Sequence, residues 1–307
     1  MNILQKVIDY IEEHIKEELD PRELANLAGY SPFHFYRLFH LHTGYPIMEY
    51  VLRRKLQYAL FELVNGKKII DIALDYGFHT HAGFTKAFKR CFGCPPSLYK
   101  LHCPASPPIR PNLVQLQHKE VGGMILQPKM ISREAFWVAG KMFEVHMENI
   151  SYTRDAPAFW EDGGFNDGSV ETTLYKTLNP KKHGEYCINF NNDEIGNCFT
   201  FLFAVEYDQN QDLPPQMVKR EIPAATYAVF KTPLVEVSQF PSSIKGTWRY
   251  IIEDWLPHSG YEVDESSYDF EYYDENCHHW EHEKIYMEIH LPVKKKRRVK
   301  ISPSRNF

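Results

Sequence analysis

The sequence predicts two domains of different class: an all-α N-terminal domain, then an α+β C-terminal domain. Three observations carry this. Apolar residues recur at helical spacing up to about residue 100. The proline-dense "CPASPPIRP" (Cys103–Pro111) then forbids regular structure. Beyond it, runs of aromatic and β-branched residues read as strands. At 307 residues the chain is long enough for two separate cores. The expected division is a domain over 1–104, a linker over 105–122, a second domain over 123–293 and a basic tail over 294–307. Charge divides in the same way. Residues 1–110 hold 14 Lys and Arg against 11 Asp and Glu, with seven histidines, whereas residues 111–293 hold 14 against 29. The first balance suits a polyanion and the second suits cationic or neutral molecules. No run of 18 apolar residues and no basic-then-apolar leader is present, so neither a membrane span nor a secretory signal is expected. Six unevenly spaced cysteines fit reduced thiols in the cytoplasm better than a disulfide framework. No cofactor is expected.

In the first domain, Asp20 is placed to cap a helix with Pro21 in its first turn, and Leu24, Ala25, Leu27 and Ala28 give that helix an apolar face. Gly29 ends it, Ser31 is placed to cap the next helix ahead of Pro32, and Phe35 and Phe39 supply the core spacing. The phrase is written twice. Ala25, Gly29 and Tyr30 recur 48 residues on as Ala73, Gly77 and Phe78. Phe35, Arg37, Phe39, Gly44, Pro46 and Tyr50 recur 49 residues on as Phe84, Lys86, Phe88, Gly93, Pro95 and Tyr99. The change of offset is one residue inserted in the turn. Between the copies, Pro46–Gly66 reads as a single helix that starts at a proline and stops at Asn65-Gly66. Two helix-turn-helix units on one rod are expected to reach adjacent major grooves, about 34 Å apart.

These residues resemble the DNA-binding domain of the AraC/XylS family of bacterial transcription regulators. The resemblance implies seven helices, the third and sixth of which enter the major groove, and double-stranded promoter DNA as the partner. It places contacts of the first reading helix on Ser31, Pro32, Phe33, Tyr36, Arg37 and His40. Those of the second fall on Thr80, His81, Lys86, Lys89 and Arg90. Ala82 and Gly83 stand where family members tend to carry polar side chains, and neither can donate a side-chain hydrogen bond to a base. The expectation is that Ser31–His42 selects sequence while Thr80–Arg90 grips the backbone. The phenylalanines are read as core and the histidines as surface groups. Cys91-x-x-Cys94 lacks the second pair that a zinc site needs.

In the second domain, Pro128–Val145 suggests two short strands or one bent one, followed by a weaker segment around Phe159 and Trp160. "GEYCINF" and "CFTFLFAVEY" read as strands. The order then recurs: strand material in "QMVKREIPAATYAVFKT", an amphipathic helix in "SIKGTWRYIIEDWLP", and closing strands in "YDFEYYD" and "KIYMEIHLPV". Strand-helix-strand-strand, twice, implies two pseudo-symmetric halves around a cleft. Along the last strand Ile285, Met287, Ile289 and Leu291 share one face while Tyr286, Glu288 and His290 share the other. A carboxylate among aromatics attracts a cation, each cation–π contact contributing on the order of 0.5–2 kcal/mol.

This region resembles the GyrI-like effector-binding domain on "IPAATYAVF", "TWRYIIEDWLPHSGYE", "FEYYD" and "MEIHLPV". That resemblance implies an aromatic cleft for drug-like or cationic molecules with a buried glutamate at its base. The expected ligand-binding residues are Glu288, Glu271, Trp248, Tyr227, Tyr272 and Tyr286. No catalytic or metal-binding residue is assigned, and the acidic-histidine stretch "CHHWEHE" (Cys277–Glu283) has no recognised ligand spacing. A rival reading is a DNA-tethered hydrolase using Glu288 and a tyrosine. A third gives the second half RNA polymerase or another protein as its partner.

Overall fold

The structure is a computed structural model and describes residues 3–65, 67, 69–103, 108, 110, 126–146, 169–191, 198–277 and 283–296. The chain divides into two compact units, Met1–Ile125 and Leu126–Phe307. Phe159, Trp160, most of the linker, residues 278–282 and the tail beyond 296 lie outside the described residues. No described helix is long and apolar enough to cross a membrane.

Among the described residues, seven helices build the first unit: α1 Ile3–Glu13, α2 Pro21–Leu27, α3 Pro32–Thr43, α4 Ile47–Val64, α5 Ile69–Asp75, α6 His81–Phe92 and α7 Pro96–His102. The repeat seen in the sequence is a repeat of backbone geometry. Gly29 and Gly77 leave α2 and α5 at φ +70° and +79°, and Gly44 and Gly93 close α3 and α6 at +77° and +75°. In this left-handed region a Cβ is unfavourable, so glycine recurs at all four. Tyr30 N–H returns to Ala25 O as Phe78 N–H returns to Ala73 O. The ring of Tyr50 meets Phe39 edge-on at 5.3 Å, and Tyr99 meets Phe88 at 5.5 Å.

The rod α4 grips each copy through one of two adjacent arginines. Arg54 makes a bidentate pair with Glu12 of α1, Nε to Oε1 at 2.6 Å and Nη2 to Oε2 at 2.7 Å, and Tyr58 OH donates to the same carboxylate at 2.8 Å. Arg53 turns the other way, donating from Nη2 to the Cys91 carbonyl of α6 at 2.6 Å beneath the Tyr45 ring. Neighbours on a helix point about 100° apart. Consecutive arginines on one rod therefore reach two different subdomains.

The second unit is built on a curled nine-stranded sheet. Its strands are β1 Lys129–Arg133, β2 Phe136–His146, β3 Glu185–Asn191, β4 Cys198–Glu206, β5 Val218–Ile222, β6 Ala225–Lys231, β8 Tyr261–Val263, β9 Phe270–Tyr273 and β11 Glu288–Lys295. A separate ribbon pairs β7 Val235–Glu236 with β10 Lys284–Ile285. Helix α8, Ser169–Leu178, precedes β3. Helix α9, Phe240–Arg249, runs through a π-helical turn at Tyr250–Trp255 into α10, Leu256–His258. It thus begins three residues before the "SIKGTW" start expected from sequence, because Pro241 fits the first turn of a helix.

The sheet order β1-β6-β11-β9-β3-β4-β2-β5 is antiparallel throughout and shows the two halves. The strand-helix-strand-strand unit β2-α8-β3-β4 recurs as β6-α9-β9-β11, and β3 pairs with β9 at the centre. The leading strand of each half crosses over: β1 pairs with β6 and β5 with β2. Aromatic and aliphatic side chains from both halves, among them Val138, Tyr186, Ile188, Leu202, Tyr227 and Phe270, meet in one core cluster on a single face of the sheet.

Candidate functional site

In the first unit the exposed faces of α3 and α6 occupy equivalent places in the two copies. On α3, Ser31, Pro32, Phe33, Arg37 and His40 are exposed, Phe33 at 81%, and Tyr36 is half-buried with its ring against Phe35. Phe35 and Phe39 are fully buried on the opposite side. Phe33 thus sets an apolar ring beside the cation of Arg37 on one solvent-facing side of α3. Leu41, 77% exposed, extends the same stripe, and sequence reasoning did not single it out. On α6, Thr80, Ala82, Gly83, Lys86 and Arg90 are exposed, and His81 and Lys89 are half-buried.

The N-caps differ between the copies. Thr80 accepts a hydrogen bond from Gly83 N at 3.0 Å and so closes the start of α6. Ser31 sits at the cap position in an extended conformation, but its side chain makes no capping bond. That corrects the capping expected of it. Pro32 removes one of the N–H groups at the helix start, and the hydroxyl is left facing outward.

In the second unit the β9–β11 register decides which candidates meet. Glu288 lies opposite Tyr272 and His290 opposite Phe270, so these four share one face. Glu288 Oε2 lies 3.1 Å from His290 Nε2, and Oε1 lies 3.9 Å from Lys231 Nζ. The His290 hydrogen bond, aided by Lys231 and Lys129, holds the Glu288 carboxyl below its ordinary range. His290, 4% exposed, stacks on Phe270 with ring centroids 4.6 Å apart, and burial lowers its own pKa. Tyr227 is fully buried against Phe270 and His290, with its hydroxyl 2.8 Å from Ser267 Oγ. Tyr286 stands outside β11 at the rim, where Lys231 Nζ lies 4.8 Å from its ring. His290, which the alternation of the last strand placed on this face, was not named as a ligand residue from sequence, and Arg133 was not foreseen at all. The Arg133 guanidinium lies 4.3 Å from the Phe136 ring, donates to Tyr186 OH at 3.2 Å and sits 5.6 Å from Phe270.

Glu271 and Trp248 do not join Glu288. Alternation along β9 turns Glu271 to the opposite, helix-covered face, where it accepts from Trp248 Nε1 and from Tyr273 OH, each at 2.8 Å. Trp248, 2% exposed, is core and holds α9 to the sheet. The first half carries a related arrangement. Glu185, 2% exposed, accepts from Tyr175 OH of α8 at 2.5 Å and lies 3.2 Å from His183 Nε2, while Glu171 lies 4.0 Å from the same nitrogen. Burial raises the Glu185 carboxyl to about 7. Glu171, His183 and Glu185 bring three potential ligand atoms within 4.8 Å of one another. As for the hydrolase reading, the hydroxyls of Tyr227 and Tyr272 are engaged elsewhere, with Ser267 and with the His183 carbonyl at 3.4 Å, and Tyr286 OH accepts from Lys231. Cys91, Cys94 and Cys103 are buried thiols of the first unit's core, and burial raises Cys91.

Comparison with known proteins follows the same division. Residues 24–101 match a helix-turn-helix domain model, and residues 129–293, more than half of the chain, match the model of the integron-associated effector binding protein. The HTH-type transcriptional regulator YbfP of Bacillus subtilis is 37% identical over 98 residues, which make up 32% of this chain and 33% of that protein. The HTH-type transcriptional activator AarP of Providencia stuartii is 36% identical over 101 residues, 33% of this chain and 75% of that protein. The shared segment thus spans a third of one relative and three quarters of the other. A solved structure described as SAV2435 bound to tetraphenylphosphonium is 17% identical, with a TM-score of 0.43 over 55% of this chain and 94% of that one. With a helix-turn-helix segment shared by an activator over most of its length, and an effector-domain match over more than half of its own, the chain belongs to the AraC-type regulators that carry an integron-associated, GyrI-like effector-binding domain.

Proposed function

We propose that the chain is a transcription regulator that reads double-stranded promoter DNA through α3 and α6 and responds to a small aromatic or cationic effector held at Glu288. The observation that carries the DNA reading is the pair of exposed, cation-bearing faces on one duplicated scaffold: Phe33, Arg37 and His40 on α3, and Lys86 and Arg90 on α6. Arg37 offers a planar fork suited to guanine or phosphate, while α6 offers point charges around Ala82 and Gly83, which present no base-reading group. The effector reading rests on an ionised Glu288 that stands opposite Tyr272 and is hydrogen-bonded to His290. RNA polymerase is proposed as the further partner of the DNA-bound chain.

Selection of bound duplexes from a random pool, followed by binding titrations, tests the DNA reading. Arg37→Ala is expected to cost about 1–3 kcal/mol on selected sites and to relax base preference. Lys86→Ala is expected to weaken all sequences alike and to lower the salt slope by about one. A pool that yields no enriched sequence overturns the reading. For the effector, thermal shifts of the full chain with aromatic cations should be lost in Glu288→Gln. Run-off transcription with added effector then reads whether polymerase is recruited or blocked.

A further inference from the structure

His290 carries a hydrogen-bonding demand that the described residues leave unmet. Its Nε2 faces Glu288 Oε2 at 3.1 Å, whereas its Nδ1 is buried and has no hydrogen-bond partner among the described residues. A buried polar atom without a partner is disfavoured, so such an atom at a candidate site calls for an explanation.

The fold itself does not require the group. The two halves superimpose by register: Val138 pairs with Glu206 as its counterpart Tyr227 pairs with Pro292. The same correspondence puts Leu202 and Ala204 of β4 in the places of Glu288 and His290. Both belong to the apolar cluster, so the first half fills these positions without a polar atom. The polar pair is an addition to one half only.

Its protonation state follows from its neighbours. Glu288, held ionised by His290 and the nearby lysines, can only accept, so Nε2 carries the proton. The charged groups facing the imidazole are Glu288 and Arg133, and burial together with Arg133 keeps the ring neutral at pH 7. A neutral imidazole with its proton on Nε2 presents a bare acceptor at Nδ1. Arg133, the nearest cation, is engaged with Tyr186 OH and the surrounding rings instead.

We propose that the effector must bring an N–H or O–H donor to His290 Nδ1, so that this face selects protonated aromatic amines over cations that carry no donor. Tyr272, half-buried opposite Glu288, takes the aromatic body, Glu288 senses the charge, and Nδ1 adds a test for hydrogen that charge alone does not make. The inference rests on the effector reading above and narrows its ligand class.

The experiment compares two probes of equal charge and nearly equal shape, (4-phenylbenzyl)dimethylammonium and (4-phenylbenzyl)trimethylammonium, which differ by N–H against N–CH3. Calorimetric titration of the full chain at pH 7.5 is expected to favour the protonated amine by about tenfold or more, the range of a charge-assisted hydrogen bond. His290→Phe, which keeps the stacked ring and removes the acceptor, is expected to bring the two affinities together. Equal affinities in the wild type overturn the inference and leave the effector reading standing. Absence of binding by either probe overturns both. A second readout needs no variant. The imidazole nitrogen-15 spectrum of the wild-type chain should show Nδ1 unprotonated, and its resonance should move on adding the protonated amine but not the quaternary one. A protonated Nδ1 in the free chain, or equal movement with both probes, overturns the inference.

Discussion

The two helix-turn-helix copies share their turn glycines and core ring pairs and differ in the side chains they turn to solvent. Gly29 and Gly77, Gly44 and Gly93, and the Phe39–Tyr50 and Phe88–Tyr99 ring pairs are interchangeable in geometry. The exposed faces are not: Phe33 and Arg37 on α3 stand against Ala82, Gly83 and Lys86 on α6. The halves of the second unit repeat the lesson. Each half has a carboxylate beneath its helix at a position of its own, Glu185 bound by Tyr175 and Glu271, whose counterpart is Cys187, bound by Trp248. Only the second places Glu288 and His290 on the face opposite. Duplication preserves the groups that hold a fold, and departures from the repeat mark the groups that act.

The largest effect should come from breaking the anchor of the first copy. Glu12→Ala leaves Arg54, its side chain 8% exposed, without its carboxylate and takes the acceptor of Tyr58 as well. A buried ion pair broken on one side costs about 3–5 kcal/mol. All five tryptophans lie beyond residue 125, so their fluorescence follows the second unit while far-UV circular dichroism also registers the first. Urea unfolding of Glu12→Ala should move the dichroism transition and leave the tryptophan transition in place. A shift in both, or in neither, would remove Glu12 as the private anchor of the first copy. Arg53, which holds the second copy through the Cys91 carbonyl, is untouched by that variant.

A somewhat smaller effect should separate the carboxylates under the helices from the one on the opposite face. The Glu185 carboxyl is raised from 4.5 to about 7, chiefly by burial. A folded-state pKa above the unfolded one means the folded chain holds the proton more firmly. The stability this contributes is complete below about pH 4.5 and is lost as pH rises through 7. Glu185→Gln keeps an acceptor for Tyr175 and cannot ionise. The variant should therefore gain on the wild type by about 3 kcal/mol between pH 5 and pH 8, read from the tryptophan transition in urea. Glu288→Gln should show the opposite slope, since the wild-type carboxyl lies below its ordinary range and its contribution is lost as pH falls. A flat difference for Glu185→Gln would show that His183, 3.2 Å away, already neutralises the group.

Much of this was legible in the sequence. A left-handed helix end tolerates little but glycine, so the four turn glycines and the one-residue insertion in the turn announce the repeat in the sequence itself. Alternation along the last strand likewise placed Glu288 and His290 on one face. What one sequence cannot carry is pairing register and crossover. "FEYYD" offers both Glu271 and Tyr272, and only the pairing of Tyr272 with Glu288 shows which of them stands beside that carboxylate. Arg133 reaches Tyr186 because β1 crosses to pair with β6, a long-range connection without a local signal. The Glu171–His183–Glu185 group was missed for the same reason, since a helix and a loop meet there only through the packing of α8.

The smallest effect is also the most direct measure of how equal the two scaffolds are. Gly29 and Gly77 leave α2 and α5 at φ +70° and +79°, and a Cβ added at either would meet nothing within 4 Å. Substitution by alanine then costs only the left-handed backbone term, about 1–2 kcal/mol. Gly29→Ala and Gly77→Ala should shift the dichroism transition by the same amount within about 0.5 kcal/mol, and the double variant by their sum, because the sites lie in separate helix-turn-helix copies. A cost confined to one position would mean that only one copy is held in the folded unit by its own cap. The other would then be held by its arginine on α4, and the equality of the two copies would be one of shape without being one of energy.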